Sequence, residues 1–121
     1  MDAAAPMTDP RVHRDDPMCW TSNVINAAVA AAFVVPITEL RAPTRRRAPI
    51  ALARQSAMYL AHVAFGLSFT EVGRAFGRDR TTAAHACRRI EDGRREARLD
   101  SALADLEHAL RRNRAAAGAV S

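Results

Sequence analysis

A chain of 121 residues with 49% apolar side chains, many of them alanine, has room for one small domain plus tails, and its few large hydrophobics oblige helices to pack closely. All 18 of its basic residues are arginine, so mechanisms that need an ammonium are excluded, phosphate-cradling P-loops and Schiff bases among them. The net charge of +5 is unevenly spread: residues 1–40 are net −3, residues 41–98 are net +8 and residues 99–121 balance, which puts a patch attractive to a polyanion in the middle of the chain.

Residues 1–20 combine Pro6, Pro10 and Pro17 with scattered charge and no apolar period, the composition of a disordered tail. Thr21 or Ser22 is expected to cap a helix that Trp20 staples, with Val24, Ile25, Ala28, Ala31, Ala32 and Val35 as its apolar stripe. Pro36 ends that helix, and residues 37–40 can add one more turn anchored by Leu40. The apolar run from Ala27 to Val35 is too short to span a bilayer and follows an acidic start, so it reads as neither membrane helix nor signal peptide.

Residues 41–49 form a basic linker in which Arg45, Arg46 and Arg47 stand between prolines. Two readings fit: an arm lying in a narrow minor groove, or a solvated connection. From Pro49 a long helix is expected, with Ile50, Ala53, Ala57, Leu60, Ala61, Ala64 and Phe65 facing inward and Met58 and Tyr59 flanking them. Arg54, near its start, is a candidate groove contact. His62 has no nucleophile or carboxylate beside it in sequence and reads as a surface or boundary residue. Gly66 terminates the helix.

The stretch from Ser68 to Gly93 carries the densest local signals. Ser68 and Glu71 form a capping box, Val72 and Phe76 share one face, and Gly77 supplies a left-handed stop. Asp79 is a plausible N-cap for a second helix that buries Ala83, Ala86, Cys87 and Ile90. The opposite face shows Arg80, Thr81, Thr82, His85, Arg88 and Arg89 without one large apolar side chain. A helix docked in a major groove turns its first turn toward base edges, so Arg80, Thr81 and Thr82 are candidate base readers. Arg88 and Arg89, with Arg78 and His85, are candidate phosphate contacts. A basic face can also be merely solvated; the capping box, glycine turn and small-residue packing face together favour double-stranded DNA. No membrane partner is expected, because these helices lack the Trp, Phe and Leu face of an interfacial helix.

Beyond Gly93, residues 94–98 read as solvated charge. Leu99, Leu103, Leu106 and Leu110 then form a short seam that favours packing onto the same domain over pairing two chains, consistent with a monomer or weak dimer. Residues 113–121 read as an Ala-rich frayed tail. Cys19 and Cys87 form no Cys-x-x-Cys pair, and His85 and Cys87 point to different sides of a helix, so neither disulfide nor metal is expected. No nucleophile, base and orienting acid gather in one segment; neither catalysis nor a cofactor is expected. The thiol usage suits a reducing cytoplasm, associated with the nucleoid if DNA is the partner.

The runs 53–61, 67–77, 78–82 and 85–91 closely resemble, in order, the C-terminal DNA-binding domain of the bacterial replication initiator DnaA, and residues 24–40 resemble the helix and turn that precede it. The similarity covers roughly residues 22–112. It implies an all-α, helix-turn-helix bundle of the tryptophan-repressor-like type that recognises DnaA boxes, short A·T-rich duplex sites. By the same resemblance Arg54 enters the minor groove, Asp79, Arg80, Thr81 and Thr82 read bases, and Ser68, Phe69 and Thr70 join Arg88 and Arg89 at phosphates. Two departures stand out. Where the family usually has Phe-Gly-x-Arg-Asp-His-Thr-Thr-Val, this chain has Phe76-Gly77-Arg78-Asp79-Arg80-Thr81-Thr82-Ala83, one residue shorter in the turn and with Arg80 in the histidine position. The initiator's ATPase module is absent from these residues. The expected role is therefore sequence-specific binding without ATPase activity, as a transcriptional regulator or a competitor of DnaA. The rival is an interaction module that has lost DNA binding and engages a protein such as DnaA or RNA polymerase.

Overall fold

The computed structural model describes residues 17–41 and 48–120. Among these residues six helices follow one another without a strand: α1 (Pro17–Phe33), α2 (Ile37–Arg41), α3 (Ala48–Phe65), α4 (Phe69–Phe76), α5 (Arg80–Gly93) and α6 (Ala97–Val120). The fold is all-α, as the helical periodicities imply. The region 1–16 of the expected tail and the linker residues Arg45, Arg46 and Arg47 lie outside the described residues.

The central element is α3, which packs against α1, α4, α5 and α6. Being surrounded, it buries more than one stripe: every residue from Ser56 to Ala61 is buried, so Met58 and Tyr59 belong to the core instead of flanking it. Small residues make this possible. Ala53, Ser56, Ala57 and Ala61 are fully enclosed and let neighbouring helices approach.

Two further expectations need correction. The first concerns α1, which starts at Pro17 instead of at a Thr21 or Ser22 cap, and buries Thr21, Ser22, Ile25, Asn26 and Val29 while Ala31 and Ala32 remain exposed. The branched side chains of Ile25 and Val29 have more area to remove from water than the alanines, so they set the rotation of the helix and carry Ser22 and Asn26 inward. Trp20 lies within α1 and stays 39% exposed. Secondly, Arg94 is no solvated charge: its Nε meets Asp100 Oδ1 at 2.5 Å, and its Nη1 donates to Glu107 Oε2 at 2.6 Å and to the Tyr59 hydroxyl at 2.9 Å. The Asp100 carboxylate first, then the Tyr59 hydroxyl, raise the guanidinium's already high pKa further. This network ties the α5–α6 turn to α3. Beyond that turn α6 runs as helix from Ala97 to Val120.

The leucine seam is intramolecular, as favoured: Leu103, Leu106 and Leu110 are buried where α6 meets α3 and α1. From the same helix Arg111 Nη2 donates to Val63 O at 3.0 Å and Arg114 Nη1 to Ala64 O at 3.2 Å. These are carbonyls of the last turn of α3, which lack intrahelical partners and sit at the negative end of its dipole.

At the end of α1 the chain turns through Val34, whose φ of 54° lies in the left-handed region, and Val35 N–H closes on Ala30 O at 3.0 Å. This is the position glycine usually takes. A β-branched residue there is strained by about 1–2 kcal/mol, and Val34, at 88% exposure, recovers little by packing. Val34→Gly is therefore expected to raise stability by about 1 kcal/mol, read as a higher urea midpoint; a lower midpoint would show that the strain is absent.

Candidate nucleic-acid interface

Local chemistry fixes where α4 begins and ends. Ser68 Oγ accepts from Glu71 N–H at 3.1 Å while Glu71 Oε1 accepts from Ser68 N–H at 2.9 Å, the reciprocal box the sequence suggests. At the other end Gly77 has φ 68°, and Arg78 N–H bonds back to Gly73 O at 2.8 Å, closing a Schellman turn. Gly73 itself carries a constraint that the sequence reading passed over. A Cβ added there would lie 2.5 Å from Arg78 O and 3.1 Å from Asp79 C, so the chain after the turn lies directly against the backbone of α4. The available signal was an isolated glycine inside a helical pattern, which lowers helix propensity and so implies a packing reason.

The second helix starts at once. Asp79 Oδ1 accepts from Thr82 N–H at 2.7 Å, and this backbone hydrogen bond is the main cause holding the carboxyl below its ordinary pKa. As expected, α5 buries Ala83, Ala86, Cys87 and Ile90. The Cys87 thiol is pushed up to about 11, by burial and then by the nearby Glu91 charge, which makes it an unreactive packing residue.

On the solvent side Arg80, Thr81, Thr82, His85, Arg88 and Arg89 are all exposed, and so are Asp79, Ser68 and Thr70. The structure brings some of these together across two helices: Arg78, Thr82, His85 and Arg89 join Arg54 and Gln55 of α3 around a groove of about 570 Å³. Arg88 instead lines a smaller depression with His85, Arg89 and Asp92. Arg54 is held in place, its Nε and Nη2 donating to Glu39 O at 3.2 and 2.8 Å. Gln55 was not singled out from sequence, where nothing but its position after Arg54 marks it. His62 is a boundary residue as expected: its ring stacks on Phe69 with centroids 4.5 Å apart, and its Nδ1 lies 2.7 Å from Leu67 O, which makes Nδ1 the protonated nitrogen.

Among the described residues no group of three or more His, Cys, Asp or Glu is placed to hold a metal ion, and no helix is long and apolar enough to cross a membrane. A capped eight-residue helix, a glycine turn and a second helix with a polar, arginine-rich outer face define a helix-turn-helix protein.

Residues 22–90 match the bacterial DnaA helix-turn-helix family, and the chain belongs to that DNA-binding family. It is 45% identical over 64 residues to chromosomal replication initiator protein DnaA 1 of Protochlamydia amoebophila (strain UWE25), a stretch that is 53% of this chain and 14% of that protein. Among solved structures it is similar to a DNA replication initiation factor, with a TM-score of 0.69 and 27% identity over 79% of this chain and 30% of the other. A replication initiator DnaA bound to AMPPCP and single-stranded DNA shares the fold, with a TM-score of 0.67 and 24% identity over 90% of this chain and 31% of the other. The chain thus spans under a third of the length of each of these relatives.

Two variants test the local geometry. Gly73→Ala forces backbone apart at the turn and is expected to cost about 1–3 kcal/mol, read by thermal melting; a neutral result would mean that α4 and the turn are not in contact. Asp79→Ala should lower stability at neutral pH while Asp79→Asn, which still caps, should do so much less. Because the folded-state pKa is lowered, the carboxylate's contribution is complete above the ordinary aspartate range and is lost as pH falls through the lowered value. The gap between wild type and Asp79→Ala should therefore narrow in acid; a gap independent of pH would remove the charged cap.

Proposed function

We propose that this protein binds double-stranded DNA sequence-specifically at DnaA-box-like sites, with α5 in the major groove. Its biological role is that of a transcriptional regulator or a competitor of the initiator at those sites. The supporting observation is that the first turn of α5, where Arg80, Thr81 and Thr82 are exposed, reaches through Thr82 into the groove where Arg54 and Arg78 stand beside Arg89. The first turn offers side chains to base edges and the groove offers the guanidiniums of Arg78 and Arg89 to phosphates, which is the division of labour that a docked recognition helix requires. In this reading Arg80, Thr81, Thr82 and Asp79 read bases, the last with one carboxylate oxygen already committed to the cap. Ser68, Thr70, Arg78, His85, Arg88 and Arg89 meet phosphates. Arg54 enters the minor groove, which requires it to exchange the Glu39 carbonyl for DNA, and Arg45, Arg46 and Arg47 supply a second minor-groove element.

A salt titration on duplex DNA tests this. With about six phosphates neutralised, affinity should fall about a thousandfold between about 50 and 200 mM salt. Arg80→Ala should relax choice at one base pair, a loss of about 1–3 kcal/mol of discrimination, whereas Arg88→Ala should weaken all duplexes alike and flatten the salt slope by about one. Absence of duplex binding at low salt, with retained binding to DnaA or RNA polymerase, would replace this function by a protein-interaction role.

A further inference from the structure

No residue of α1 is charged, although the outer face of a helix on a protein surface is ordinarily polar. The inner side of this helix buries Ile25, Asn26 and Val29. Its outer side carries Trp20, Val24, Ala27 and Ala31, continued by Val34 just past the last turn. Their spacing of four, three, four and three residues is that of an apolar coiled-coil seam. Val24 is half-buried and the other four are exposed. Trp20 and Val34, at the two ends, are the exposed large hydrophobics among the described residues. Val34 holds its side chain at a left-handed φ of 54°, a strain that packing within one chain does not repay. None of the five lines the groove beside α5, so the seam is separate from the proposed DNA site.

We propose that this seam is the docking surface for a second copy of the chain, with the two α1 helices antiparallel and crossing at Ala27. An interface between identical copies must match itself, and this one does so in shape and in charge. Ala27 stands seven residues from each end of the seam. On a two-fold axis at that point the small side chains meet and let the helices approach, while Trp20 of each copy covers Val34 of the other. Because α1 is uncharged, no like charges face each other, whereas copies meeting through residues 41–98, net +8, would repel. A contact one helix wide and about 21 Å long falls short of the roughly 1,200 Å² that a stable dimer buries, so the pair is weak and reversible.

Sedimentation over a wide concentration range tests this, with the emission of Trp20, the only tryptophan, as a local probe. Wild type is expected to move from one chain toward two while its emission shifts to shorter wavelength. Ala27→Glu places two carboxylates against each other on the axis and should associate about tenfold or more weakly. Its emission should not change with concentration, and its helix content and affinity for duplex DNA should stay close to those of wild type. Ala32→Glu, exposed but about 140° round the helix from Ala27, should associate as wild type does. In a Cys19→Ser background, an added oxidant should cross-link Ala27→Cys and not Ala32→Cys. A single-chain mass at every concentration, equal association of wild type and Ala27→Glu, or equal cross-linking of the two cysteine variants would overturn the docking surface and leave the proposed function standing.

Discussion

The direction of the exposed face of α5 depends on one backbone contact. Gly73 in α4 presses against the carbonyl of Arg78 and the peptide of Asp79, and no side chain could stand between them. That contact, with the left-handed Gly77, fixes the angle at which α5 leaves the turn, and every side chain on the outer face of α5 inherits its direction from it. The arrangement has a local cost: a helix of eight residues is marginal alone, and an interior glycine weakens it by about 1 kcal/mol relative to alanine. The Ser68–Glu71 box and the burial of Val72 offset that cost, which explains why so short a helix carries complete caps at both ends.

What the sequence made legible follows how local each determinant is. Both ends of α4 and the buried face of α5 could be read because caps, glycine stops and three- or four-residue spacings act within one or two turns. The rotation of α1 could not. Its apolar residues run nearly all round the helix, and which of them face inward depends on what α3 and α4 present to it. The same holds for Met58 and Tyr59, buried because α3 has neighbours on several sides, and for Arg94, whose partners Tyr59 and Glu107 are remote in sequence. In the candidate site the exposed basic face was readable, whereas Gln55 acquires its place only once α3 is set beside α5.

A chain whose only cations are arginines uses them in two ways, and this changes what its charge distribution means. The net +8 of residues 41–98 counts Arg94, which is neutralised by Asp100 and Glu107. Nearby in the fold, Arg111 and Arg114 spend donors on α3 carbonyls. The planar guanidinium, with its several donors, suits such structural bridging better than an ammonium would. The field available to a polyanion therefore comes from fewer arginines than the sequence holds.

The shorter turn also has a structural answer. The Schellman turn finishes α4 at Phe76 and the Asp79 cap opens α5 at Arg80, so Gly77, Arg78 and Asp79 each already serve a cap. The connection is closed by hydrogen bonds at both ends, and its length does not leave α5 loosely placed. If α5 lies in a major groove, the departure from the family pattern that alters site preference is then the side chain at Arg80 and not a displaced helix. Arg80 follows directly on the cap, where its Cα position is fixed by the Asp79–Thr82 hydrogen bond while its side chain stays exposed. In general a bidentate donor matches the two acceptors of a guanine edge, where an imidazole offers a single ring nitrogen at a time.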